Sequence, residues 1–115
     1  MSQVTEYGYE TIRNFIEQSW KYIELQDSTG TAIIRLGIGD SRVKWAHVDG
    51  DGVLKLEIKI TGADVALPCT VGKTAIFDTA SGGNVIATAD VEVTTLTQTI
   101  DELTVTANIQ VPTIV

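Results

Sequence analysis

Residues Thr74–Val93, TAIFDTASGGNVIATADVEV, decide the fold. Ala75 and Phe77 alternate with Thr74 and Ile76. The returning segment alternates Val85, Ala87, Ala89, Val91 and Val93 with the mostly polar Thr88, Asp90 and Glu92. A period of two is that of a strand with one face buried. Between the two runs, Asp78–Asn84 carries Gly82-Gly83-Asn84, residues that take positive φ at low steric cost. Two alternating runs around such a loop predict a β-hairpin, Val71–Phe77 with Val85–Val93. At least one glycine of the loop is expected at positive φ.

The same period recurs on both sides of this hairpin. Downstream, Leu103, Val105, Ala107, Ile109 and Val111 form an inward set, and Thr104, Thr106, Asn108 and Gln110 an outward one. Pro112 cannot donate to a ladder and is expected to end this strand or sit at an edge. Upstream, Lys21–Gln26 and Thr31–Leu36 flank the turn residues Asp27-Ser28-Thr29-Gly30. Ile23 and Leu25 share one face; Tyr22, Glu24 and Gln26 share the other. Val43–Val48 and Val53–Ile60 flank Asp49-Gly50-Asp51-Gly52, a second hairpin signal. Leu54, Leu56, Ile58 and Ile60 lie on one face there, with Lys55, Glu57 and Lys59 on the other.

Ahead of the strands the period is helical. Tyr9, Ile12, Phe15, Ile16 and Trp20 make one stripe over about Thr5–Ser19, with Glu10, Arg13, Asn14, Glu17 and Gln18 opposite. Thr5 suits the N-cap. The stripe is expected to cover the domain's own sheet rather than fill a partner's groove. One helix and about seven strands at hairpin spacing predict a mainly β fold. An N-terminal helix, about 5–19, packs on a small antiparallel β-sandwich or open barrel, about 21–111, in a single domain of residues 1–115.

Composition narrows the function. The chain has 115 residues, 43% hydrophobic and 20% charged, an ordinary globular balance. Fifteen acidic against eight basic residues give a net charge of −7. The basic residues are scattered, so no cationic face for nucleic acid is expected. Cys69 and His47 are the only residues of their kinds, which excludes an intramolecular disulfide and a Cys₄ or Cys₂His₂ zinc site. The N-terminus lacks a basic region followed by an apolar run, and no stretch approaches the ~20 apolar residues that span a bilayer. Neither a signal peptide nor a membrane partner is expected.

No motif carries chemistry. Asp49-x-Asp51-Gly52 invites a calcium loop, but Val53, Leu54 and Ile60 stand where ligands or glycine belong. A tight Asp-Gly turn is favoured. Gly37-Ile38-Gly39 is followed by Arg42 and a strand, not by a third glycine and a helix. His47 is expected on a wet strand face, and Cys69 after Leu67-Pro68 as a small apolar filler rather than half of a dyad. The chain is expected to hold no cofactor, no metal and no catalytic residue.

The hairpin resembles one kind of protein in particular. Ile76-Phe77-Asp78, then Ala80-Ser81-Gly82-Gly83-Asn84, then an apolar strand, is similar to a phrase in small phage tail and tail-fibre structural proteins. In those proteins a Thr-rich linker, an acidic turn and a final alternating strand follow. Here Thr94–Ile100, Asp101-Glu102 and Leu103–Val111 stand in those places. The resemblance covers about the last 40 residues. It implies a non-enzymatic virion component of a phage or prophage (tail, fibre or baseplate-associated), made in the bacterial host cytoplasm. Its partners would be copies of itself, as a ring or trimer, and other virion tail proteins. The assembly candidates are Asp78, Ser81, Gly82, Gly83 and Asn84 in the loop, and Thr104, Thr106, Asn108 and Gln110 on the last strand. The alternative is a stand-alone β-sandwich binding module of carbohydrate or adhesin type.

Overall fold

The computed structural model describes residues 3–48 and 52–110. Asp49, Gly50 and Asp51 of the expected second turn, and Val111 and Pro112 of the expected last strand, lie outside them. A helix α1 (Glu6–Ser19) precedes seven strands: β1 (Tyr22–Gln26), β2 (Ala32–Gly37), β3 (Val43–Trp45), β4 (Val53–Thr61), β5 (Cys69–Phe77), β6 (Ala87–Leu96) and β7 (Glu102–Gln110). A 3-10 turn, Gly62–Asp64, follows β4.

The strands form two antiparallel sheets, ordered β2-β1-β5-β6 and β3-β4-β7. Ile23, Leu25, Val71, Ile76 and Leu96 from the first meet Leu54, Leu56, Ile58, Ile60, Val105, Ala107 and Ile109 from the second in one buried cluster. This is the sandwich that the alternation predicts. Each large apolar side chain buried there contributes roughly 1.5–3 kcal/mol. β4 and β7 run in unbroken register from Val53 opposite Gln110 to Thr61 opposite Glu102. Their strict alternation keeps every apolar residue but Val53 on the core side.

Three details depart from the sequence reading. The helix forms as expected, with the Thr5 hydroxyl accepting from Gly8 N–H at 3.1 Å. Its seated face, however, is rotated. Tyr9, Arg13 and Ile16 are buried, while Ile12 and Phe15 are 41% and 61% exposed. Arg13 can sit inward because its apolar stem covers surface and its guanidinium reaches Glu6 Oε1 at 2.7 Å.

The second departure is in β6. Val71 pairs with Thr94 but Lys73 pairs with Asp90, so Val91–Val93 oppose Gly72 alone. At this irregularity the inward set of β6 changes from Ala87 and Val91 to Leu96, and that of β5 from Val71 to Ile76. Val93 is therefore exposed and Leu96 turns inward, while Val85, which precedes β6, is exposed as well. Gly72 packs against Ser28, where a Cβ would come within 3.1 Å of the Ser28 backbone. The third departure is in β1, where Glu24 and Gln26 on the outward face are also buried.

Candidate functional site

The 78–84 loop closes the β5–β6 hairpin as expected, with Gly82 at φ 63° and Gly83 at φ 76°. Asp78, Ser81, Gly82, Gly83 and Asn84 are all exposed. The loop is nevertheless tied down. Arg35 on β2 donates from Nη1 to the carbonyl oxygens of Thr79 at 3.1 Å and Gly82 at 2.9 Å. Its Nε reaches Glu24 Oε1 at 3.1 Å, and its guanidinium carbon lies 3.5 Å from the centre of the Phe77 ring. Gln26 Nε2 donates to the other Glu24 oxygen at 2.6 Å. The outer face of the first sheet thus carries a buried, satisfied ion pair that fixes the loop's path. Replacing Gly82 and Gly83 together by Val is expected to cost roughly 1–3 kcal/mol through backbone strain. An unchanged melting temperature would show that the loop tolerates any residue.

The other candidates lie elsewhere. Thr104, Thr106, Asn108 and Gln110 occupy the exposed face of β7, in the second sheet. The nine candidates therefore split into two groups on different sheets. Among the described residues β7 pairs with β4 alone, so it is an edge strand of its sheet there. The direction of its backbone follows from three bonds. Lys59 N–H donates to Arg42 at 2.9 Å and Ala46 N–H donates to Lys55 at 2.7 Å, so odd-numbered residues of β4 bond toward β3. Gly62 N–H donates the other way, to Asp101, at 2.8 Å. Bonded pairs alternate in an antiparallel ladder. The odd residues of β7 therefore bond β4. Thr104, Thr106, Asn108 and Gln110 direct their N–H and C=O groups to the open side.

The four edges differ in how they are guarded. β3 is three residues long and carries Lys44. β6 carries Asp90 and Glu92 and the irregularity opposite Gly72. β2 carries Arg35 and pairs through a register shift at Gln26. Short length, charge and bulges are the devices that keep edges apart. β7 has nine residues in regular register and no charge from Leu103 to Gln110. Near its start, a depression of about 350 Å³ separates it from β6, with Val91, Glu92 and Thr94 on one side and Leu103–Thr106 on the other. Val4, Tyr7, Ile12 and Phe15, on and beside the helix, are exposed apolar side chains as well.

His47 departs from its expected wet face. Its side chain is 3% exposed. Lys55 N–H donates to Nδ1 at 3.0 Å, which leaves the proton on Nε2 to donate to Glu17 Oε1 at 2.7 Å. Both ring nitrogens are occupied, and the residue pins α1 to the start of β4. Cys69 is buried in β5 opposite Leu96, and burial pushes its thiol pKa up. It packs as the apolar filler expected, in a setting that disfavours the thiolate.

Several carboxylates hold the turns. Arg42 donates to both Asp40 oxygens at 2.9 Å and to Asp64 Oδ1 at 3.0 Å. The Arg42 side chain and backbone hold the Asp40 pKa down at about 2. Asp27 is lowered by the Thr29 hydroxyl and nearby backbone N–H groups, Asp64 by Thr61 N–H, and Asp101 by the N–H groups of Thr97 and Gln98. A carboxyl depressed in the folded state stabilises above its unfolded pKa of about 3.9 and loses that contribution as pH falls. The melting temperature is expected to drop between about pH 4 and pH 2. Asp40→Asn should flatten part of that drop; a level profile in the parent protein would contradict the Asp40–Arg42 contact.

Comparison with protein-family models, with curated proteins and with solved structures gave no match to this chain.

Proposed function

We propose that the protein is a non-enzymatic structural component of a phage or prophage virion, a tail, fibre or baseplate-associated part. It is made in the host cytoplasm, resides in the virion, and works by assembling with copies of itself and with neighbouring tail proteins. The observation that supports an assembly role is the open edge of β7, regular and uncharged where the other three edges carry guards. The exposed apolar side of α1 supports protein contact as well. The virion setting rests on the resemblance of residues 74–111 to tail and tail-fibre proteins. No described helix is long and apolar enough to cross a membrane.

A carbohydrate-binding or adhesin module is the second reading. An open depression of about 600 Å³ on the outer face of the second sheet, lined by Lys55, Asn108 and Gln110, has the polarity a sugar would use. Among the described residues lining it there is no aromatic ring to stack one.

Particles purified on a density gradient from a lysate of the source bacterium test the proposal. Peptides of this chain are expected to band with the tail proteins. Recovery solely from the soluble fraction, with none in intact particles, would overturn it.

A further inference from the structure

We infer that β7 pairs antiparallel with β7 of a second copy, across a two-fold axis beside Ala107. The inference rests on the assembly reading and names the partner of that edge. Thr104, Thr106, Asn108 and Gln110 direct their backbone donors and acceptors outward, away from β4. An incoming strand must therefore bond at those even positions and keep its own apolar face toward the core.

A register centred on Ala107 meets both demands. Thr104 faces Gln110 of the second copy and Thr106 faces Asn108, all on the wet side. Val105 faces Ile109, and Ala107 faces itself, so the apolar face of one sheet continues into the next. Polar pairs of this kind directly opposite one another favour the ladder.

The chain carries a net charge of −7, so two copies repel at long range. The paired stretch has no charged residue, and Glu102 falls outside the register. Thr104 and Thr106 also line the depression at β6, so the incoming strand runs beside Val91, Glu92 and Thr94 there. The result is a continuous six-stranded sheet from two three-stranded ones. Such a contact is isologous and closes at two. The elementary unit is then a dimer, and the ring or trimer implied by resemblance would need another, different contact.

Backbone amide exchange, followed residue by residue by NMR in dilute and concentrated protein, reads this directly. The amides of Thr104, Thr106, Asn108 and Gln110 are expected to exchange rapidly when dilute and about tenfold or more slowly in the dimer, while those of Val105, Ala107 and Ile109 stay protected in both. Thr106→Lys with Asn108→Lys sets like charges opposite each other and should weaken the dimer by about tenfold or more. Both side chains are exposed, so the melting temperature should hold. Thr88→Lys on β6, already a guarded edge, should leave the dimer intact. Even-numbered amides indifferent to concentration would overturn the inference. Assembly that persists unchanged in the double-lysine variant would overturn the β7 contact while leaving the virion role standing.

Discussion

Gly62→Ala is expected to cost about 3 kcal/mol or more, a fall of roughly 10 °C or more in melting temperature for a domain of this size. Gly62 opens the 3-10 turn after β4 and is buried. Its N–H donates to Asp101 at 2.8 Å, so the exit from β4 crosses the turn between β6 and β7. A Cβ at Gly62 would overlap the Gln98 carbonyl oxygen and come within 2.8 Å of its carbon and 3.0 Å of Thr99 Cα. These are backbone atoms and cannot swing aside as a side chain would. The 97–101 turn is itself held by Asp101, which accepts from Thr97 N–H at 2.9 Å and Gln98 N–H at 3.0 Å. Relief of the overlap must therefore break the turn or displace β4. Gly39→Ala is the control, because a Cβ there meets nothing within 4 Å. Equal melting temperatures for the two variants would contradict the crossing.

Arg35→Ala has the second large effect. It removes the partner of Glu24, whose side chain is 9% exposed against 13% for Arg35. Breaking a buried pair from one side typically costs 3–5 kcal/mol, since the surviving charge is left without compensation. About 3 kcal/mol is expected here, because both groups keep some contact with water. The same change frees the carbonyls of Thr79 and Gly82, so the 78–84 loop should exchange amides faster than in the parent protein. Replacing both partners by apolar residues, Arg35→Met with Glu24→Leu, should recover most of the stability. The loop should stay loosened, since its tether is still gone. A single variant as stable as the parent would show that the pair does not hold this face.

The contrast between these two sites shows what the chain discloses as a string of letters. The alternation in 53–60 and 103–110 is local, so β4, β7 and their buried faces are legible directly. The glycines of the 78–84 loop are legible too, because positive φ is a property of single residues. Contacts that depend on a distant partner are not. Arg35 meets Glu24 because β2 pairs with β1, and it meets the loop because β1 also pairs with β5. The break in β6 falls opposite Gly72, which lies against Ser28 of the β1–β2 turn. His47 turns inward because Glu17 and the backbone of Lys55 are there to receive it. The rotated helix follows from Arg13, which a binary pattern assigns to water although its stem packs like an apolar chain.

The edges were likewise hidden. Alternation identifies β7 as half-buried but not as terminal in its sheet, because strand order depends on the long-range pairing of β4 with β7. With that order known, the four outward residues of β7 are both the exposed side chains and the positions with open backbone groups. The loop candidates have no comparable opening. Arg35 already uses the carbonyls of Gly82 and its neighbour Thr79, which makes β7 the better surface for a partner.

Self-assembly is the centre of the account, and the molar mass in solution tests it most directly. Size-exclusion chromatography with light scattering, run over a range of concentrations, should show mass rising from one chain toward a dimer or larger assembly as concentration increases. A strictly single-chain mass at the highest concentration would contradict it and leave the isolated binding module as the better description.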